Sequence, residues 1–199
     1  MALTKLNNNG IAGVTALPSS IALGDMVLVS SATASGSANI TFTLADYKEY
    51  QFYFVNIHPA TDQAKFTIGF RDGGTDFDAV KTTTVFEAYN FESGSPVGLG
   101  YNTGEDIAQG TGFQTLANLV GNGNDDNCNG IIKLFDPSSD TFVKHFISQT
   151  SQSYRAGAPA EINWFVAGYC NTQTAINGVQ FKMSSGNIDA GTILMYGIN

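Results

Sequence analysis

Charged side chains are scarce in this chain of 199 residues. Asp, Glu, Lys and Arg together make up 13% of it, against roughly 25% in an average soluble domain. Positive charge is the scarcer sign, with 9 Lys and Arg against 17 Asp and Glu, so the formal net charge is −8 at pH 7. Such a chain lacks the basic footprint that binds phosphate backbones, and anionic lipid surfaces repel it. We therefore expect neither nucleic acid nor a membrane among its partners.

Long apolar runs are also missing from the sequence. No segment approaches the ~20 consecutive apolar residues that a membrane-spanning helix needs. Near the amino terminus, Asn7, Asn8 and Asn9 interrupt any stretch that could serve as the apolar region of a signal peptide. We expect synthesis in the cytoplasm without a signal peptide.

Cysteine is nearly absent, with only Cys128 and Cys170. Both lie in strand-like segments, so a disulfide between them is geometrically possible. Hydrophobic residues reach 43% and aromatic residues 12%, and a core of that size does not need a covalent staple. The sequence therefore favours two buried free thiols over a disulfide.

Helical periodicity is missing from every window long enough to test it, whereas strand-like alternation recurs with turn signals every eight to twelve residues. In 50–57, for example, Phe52 and Phe54 fall on one face and Tyr53 and Val55 on the other. We predict about ten strands in an all-β, jelly-roll-like antiparallel β-sandwich spanning 26–199. The expected strands are 26–31, 39–44, 50–57, 65–70, 82–89, 130–135, 141–148, 162–170, 179–183 and 192–198. Two segments stay open: 92–112 is a Gly-rich loop or an insertion over one end of the sandwich, and 113–120 is a strand or a helical turn.

The first 25 residues follow neither a helical nor a strand pattern. Their apolar residues are spaced irregularly among Asn, Gly, Ser and Pro18. This pattern predicts an extended amino-terminal arm over 1–25 that docks along a surface, either of a neighbouring subunit or receptor or of its own domain. The predicted docking residues are Leu3, Leu6, Ile11, Val14, Leu17 and Ile21.

Two acidic loops are candidate cation sites. The first holds Asp72, Asp76 and Asp78, and the second is 122–127, which contains two adjacent Asp residues. Calcium requires several oxygen ligands converging from a loop, but neither loop has the spacing of an EF-hand. Asp, Asn and Gly in these positions are equally typical of tight turns, which is the interpretation we favour. We expect no metal and no cofactor.

Catalytic chemistry has little support in the sequence. His58 and His145 lack a neighbouring ligand set or a nucleophile motif such as G-x-S-x-G. Trp164, Phe165 and Tyr169 could form a sugar-stacking platform, but aromatic residues along a strand are more often core. We expect no enzyme.

Several motifs resemble a recurrent β-domain in structural proteins of tailed phages of marine cyanobacteria. They are the turn VNIHPA at 55–60, the run FDPSSDTFVKHF at 135–146, NGVQF at 177–181, GNIDAGT at 186–192 and YGI at 196–198, together with the opening ALTKLNNNGI at 2–11. The resemblance implies a virion structural protein, a homotrimer that attaches to capsid or tail proteins through its arm as a small decoration or fibre subunit. It also leaves open a tail-fibre tip that binds a receptor or a host-surface glycan, and less favourably a polysaccharide-degrading enzyme. It carries over no catalytic residue.

Overall fold

The computed structural model describes residues 26–45, 47–155 and 157–199. These residues form strands, turns and loops, and the predicted docking residues Leu3, Leu6, Ile11, Val14, Leu17 and Ile21 lie outside them. No helix among the described residues is long and apolar enough to cross a bilayer. The strands are β1 (Met26–Thr33), β2 (Ile40–Thr43), β3 (Glu49–Pro59), β4 (Ala64–Arg71), β5 (Lys81–Phe91), β6 (Val97–Tyr101), β7 (Gln114–Val120), β8 (Cys128–Phe135), β9 (Lys144–Ser153), β10 (Ala160–Cys170), β11 (Gly178–Met183) and β12 (Ile188–Ile198).

Two antiparallel sheets pack face to face as a β-sandwich. The large sheet has eight strands in the order β1-β12-β3-β8-β9-β10-β5-β6, and the small sheet has four in the order β2-β11-β4-β7. Four strands cannot cover eight, so the outer strands of the large sheet extend beyond the small one. The all-β sandwich expected from the sequence is confirmed. The segment 113–120 is a strand, and the Gly-rich segment 92–112 contains β6, which the sequence analysis left as loop or insertion.

Aromatic side chains fill the space between the sheets. Phe181 on β11 lies at the centre, with its ring 5.4 Å from that of Phe54, 5.5 Å from Phe52, 5.7 Å from Phe66 and 6.2 Å from Phe42. The alternation predicted for β3 is confirmed, since Phe52 and Phe54 are buried. Tilted and edge-to-face pairs at these distances stabilise a core beyond the area that they bury.

The inner face of β9 is unusually polar. Ser148, Thr150 and Gln152 are all buried there. Thr150 Oγ1 donates to the carbonyl of Leu116 at 2.5 Å, and the Gln152 amide both donates to and accepts from the backbone of Asn118. These partners lie on β7, the edge strand of the small sheet. The polar side chains therefore satisfy backbone groups that an edge strand would otherwise leave unpaired and open to aggregation.

Candidate functional site: the outer face of the large sheet

An apolar band crosses the outer face of the large sheet, on the side away from the core. Residues that stand opposite each other in successive strands project from the same face. One such row crosses seven strands from β12 to β6 and is almost entirely apolar: Leu194, Tyr53, Ile131, Gln149, Phe165, Phe86 and Tyr101. We call this row and its apolar neighbours the outer band.

The centre of the outer band is a shallow depression of about 310 Å³. The rings of Phe86 and Phe165 stack at its edge, with centroids 4.6 Å apart and planes within 8° of parallel. Ile131 and Ile147 line the rest of the depression. Phe86 is 43% exposed and Ile147 is 48% exposed, so these large side chains contact solvent instead of the sandwich core.

Both edges of the large sheet are also apolar and exposed. On β6, Val97, Leu99 and Tyr101 alternate outward, and Leu99 is 74% exposed. On β1, the four residues from Met26 to Val29 are all exposed, although they point to alternate faces. Large exposed apolar patches mark interaction surfaces in soluble proteins.

Carboxylates are kept away from the middle of the outer band. The next row of facing residues consists of Tyr196, Gln51, Lys133, Ile147, Ala167 and Thr84. In the two rows together Lys133 is the one charged residue, while the whole chain carries a net charge of −8. An acidic protein whose apolar face carries no carboxylate at its centre can bring that centre against another acidic surface with little direct carboxylate repulsion.

Two acidic groups contact residues of these rows. Glu49 Oε1 accepts the side-chain amide of Gln51 at 2.6 Å. Tyr101 donates its hydroxyl to Asp106 Oδ2 at 2.7 Å. This hydrogen bond raises the pKa of Tyr101 above its usual value, and it holds the ring in place at the β6 edge. The phenol therefore stays neutral at neutral pH and adds no charge to the band.

The two acidic loops take turn conformations. Gly73 and Gly74 have φ values of +126° and +59°, which fits a tight turn after Asp72. In the second loop, Asp126 Oδ2 accepts the backbone N–H of Gly123 at 2.9 Å. Among the described residues, no three His, Cys, Asp or Glu side chains are placed to hold one metal ion.

The two histidines lie apart and have structural surroundings. His58 is half-buried, with Nε2 3.0 Å from the carbonyl oxygen of Gly123 and Nδ1 3.9 Å from the carboxylate of Asp189. His145 is exposed on the outer face of β9, beside the ring of Tyr169. The structure therefore does not bring the two imidazoles into one site.

The aromatic residues of β10 divide between the two faces of the sheet. Trp164 is fully buried, and its indole N–H donates to the carbonyl of Thr115 at 3.4 Å. Phe165 and Tyr169 lie on the opposite, outer face. The three rings cannot form one stacking platform, and Trp164 is core.

Both cysteines are buried free thiols, as the sequence favoured. Cys128 opens β8 and Cys170 ends β10, with β9 between them, so they are beyond the Cα separation that a disulfide allows. Burial raises the pKa of each thiol to about 12.

A buried lysine, Lys81, lies near Cys170. Desolvation lowers the pKa of Lys81, although the Lys81 ammonium donates to the carbonyls of Thr111 and Gly112.

The outer band was not predicted from the sequence, although its β6 edge leaves a signal there. In β6 the residues Val97, Leu99 and Tyr101 alternate with Gly98 and Gly100, which is a period of two inside a segment dominated by glycine. The orientation of β9 leaves no such signal, because buried Ser148 and exposed Ile147 invert the usual pattern. Neither a scan against protein-family models nor a search of curated proteins finds a match to this chain.

Proposed function

We propose that this chain is a virion structural protein of a tailed phage, a homotrimeric decoration or fibre subunit that attaches to capsid or tail proteins through residues 1–25. The outer band is the observation that carries the proposal. Phe86, Ile147 and Leu99 are large apolar side chains that are exposed on this face. Their burial against a second surface is therefore favourable. A second copy of the same chain is the occupant that we assign to it.

The positions of the exposed residues favour a ring. Apolar residues lie at both ends of the large sheet, on β1 and on β6, and the two patches differ in sequence. A contact between two different patches of identical chains is heterologous, and such contacts form a ring when the rotation between neighbours closes. The smallest ring beyond a two-fold pair is the trimer that the sequence resemblance implies.

The strand order supports the jelly-roll form of the sandwich. The small sheet β2-β11-β4-β7 and the strands β3, β10, β5 and β6 of the large sheet follow the order of two interlocked Greek keys. The hairpin β8–β9 then lies between β3 and β10, and β12 with β1 extends the edge beyond β3. Sandwiches of this kind suit a subunit that projects from a particle while an arm anchors it.

Light scattering of the purified protein tests the assembly. We expect a species of three times 21.1 kDa whose fraction rises with concentration. A monomer at all concentrations up to 100 µM would contradict the proposal, and it would favour the alternative of a monomeric glycan-binding tip domain.

Deletion of residues 1–22 tests attachment separately from assembly. We expect the truncated protein to retain the β-sheet circular dichroism and cooperative unfolding of the full chain, because the described core lies within residues 26–199. It should no longer co-sediment with phage particles, whereas the full chain should. Unfolding of the truncated protein would show that these residues belong to its own core.

A further inference from the structure

A second surface lies on the inner face of the large sheet, where β5, β6 and the start of β10 extend beyond the small sheet. Glu87, Tyr89 and Phe91 of β5 continue the inward alternation of the buried Val85. Together with Asn118 and Leu119 of β7 they line a depression of about 350 Å³. We call it the overhang groove. Its volume falls in the range of ligand-binding pockets, ~300–1,000 Å³.

Two glycines of β6 stand opposite residues that line this groove. In β6, Gly98 stands opposite Tyr89 and Gly100 opposite Glu87, so the inner face of β6 carries no side chain at either position. A Cβ atom at Gly98 would come within 2.6 Å of the Tyr89 ring, whereas a Cβ at Gly100 would meet nothing within 4 Å. The Tyr89 ring therefore packs on bare backbone, and free space remains beside Glu87.

Aromatic rings form one wall of the groove. Phe91 makes edge-to-face contacts with Tyr89 at 6.1 Å and with Tyr154 at 5.8 Å between centroids. All three rings are only partly buried. Phe91 and Tyr154 also line a neighbouring depression of about 720 Å³, so the aromatic wall continues from one depression into the next.

The polar groups of the groove are mainly hydrogen-bond acceptors. Asn118 Oδ1 is shielded from solvent and has no hydrogen-bond partner among the described residues. The Glu87 carboxylate accepts one hydrogen bond, from Asn102 Nδ2 at 3.2 Å, which leaves further acceptor capacity. The neighbouring depression adds four acidic residues, Glu92, Asp125, Asp126 and Glu161, and one cation, Arg155.

The backbone at the groove is strained at one position. Leu119 has a φ of +56°, a region that a branched apolar residue rarely occupies. It lies where the pairing of β7 with β4 shifts register. Strained residues and bulges cluster at functional sites, where they redirect side chains.

We propose that the overhang groove binds a neutral oligosaccharide. Sugar rings present C–H faces that pack against partly exposed aromatic rings, and their hydroxyls donate to the Glu87 carboxylate, which lines the groove. The excess of carboxylates over cations opposes sulfated or carboxylated glycans. The groove faces the opposite side of the sheet from the outer band, so the proposal does not depend on trimer formation.

The test is a titration of the full-length protein with chemically defined tetrasaccharides, followed by NMR chemical shifts or calorimetry. The neutral probes are cellotetraose, maltotetraose, laminaritetraose and chitotetraose. The comparison probes are a sulfated tetrasaccharide and the amine-bearing glucosamine tetramer. We expect at least one neutral probe to bind, with the sulfated probe at least tenfold weaker.

Three variants locate the binding. Glu87→Ala removes the carboxylate acceptor that lines the groove and should weaken binding about tenfold. Gly100→Leu fills the open space beside Glu87 and should weaken it more than tenfold, whereas Leu99→Ser, one residue away on the outer face, should leave it within twofold. Thermal unfolding of each variant confirms that it is folded.

Two results would overturn the proposal. One is the absence of binding by every neutral probe at 10 mM. The other is binding that is retained in folded Gly100→Leu protein. Binding of the glucosamine tetramer alone would assign the groove to a cationic ligand instead. The titrations test ligand binding in the overhang groove, whereas light scattering tests assembly through the outer band. A failure of the oligosaccharide proposal is therefore distinguishable from a failure of the proposed trimer.

Discussion

Replacing Leu99 by Ser tests whether the outer band is an interface between copies. Leu99 is 74% exposed in the isolated chain, and full burial of a Leu side chain contributes about 1.5–3 kcal/mol. Covering the exposed three-quarters would contribute about 1–2 kcal/mol at each contact. A closed trimer has three such contacts, so the substitution should make the free energy of trimer formation less favourable by about 3–6 kcal/mol. The trimer dissociation constant should therefore rise by about two to four orders of magnitude.

The assay is light scattering over a dilution series. Because the midpoint concentration of a monomer–trimer equilibrium varies as the square root of the dissociation constant, it should rise about 10- to 100-fold in the variant. The unfolding free energy of the monomer should change by less than about 0.5 kcal/mol, since the side chain points away from the core. This separates lost association from lost folding.

A matched control comes from the loop before β9. Phe142 is 71% exposed, nearly the same as Leu99, but it lies in the loop between β8 and β9 and outside the rows of the outer band. Phe142→Ser should leave the midpoint concentration unchanged. If Phe142→Ser raises the midpoint and Leu99→Ser does not, the assignment of the interface to the outer band is refuted.

Two further predictions concern the core. In urea unfolding, Phe181→Ala should lower the free energy of unfolding by about 3–5 kcal/mol, because it leaves a cavity among four aromatic rings. Phe165→Ala should lower it by only about 1–2 kcal/mol in the monomer, because the ring lies on the outer face and loses chiefly its stacking on Phe86. Equal losses in the two variants would contradict the assignment of faces. Burial raises the pKa of Cys128 from 9.0 to about 12, so its contribution to stability is fully present below pH 9 and is lost as the pH rises. Between pH 8 and 10.5 this loss should be about 2 kcal/mol. In urea unfolding at the two pH values, the Cys128→Ala variant should lose less unfolding free energy than the unmodified protein, because it lacks this thiol. An equal loss in the two proteins would show that the thiol is accessible in the folded state.

Much of the fold could be predicted from alternation. In β3, hydrophobic residues repeat every second position, and the burial of Phe52 and Phe54 follows directly from that period. In β6 the same period was present, but glycine at 98 and 100 made the segment look like a loop, since glycine has low strand propensity. The structure places those glycines opposite Tyr89 and Glu87, which line the overhang groove.

Local pattern could not decide which face of a strand meets the core. In β9, apolar Ile147 faces solvent and polar Thr150 and Gln152 face inward, because the partners of those polar side chains are backbone groups of β7. Strand β7 is in the other sheet, and the two segments are more than 30 residues apart. No local window contains both of them.

The sequence by itself determined the all-β class, most strand positions, the acidic and charge-poor surface and the absence of any local catalytic motif. These properties depend on the period of apolar residues and on composition, which are local or additive. Only the tertiary structure decided that Phe86, Ile147 and Tyr53 share the outer face, and that Tyr89, Asn118 and Tyr154 meet around one groove. Strand order and register bring those residues together, and they arise from the packing of both sheets as a whole.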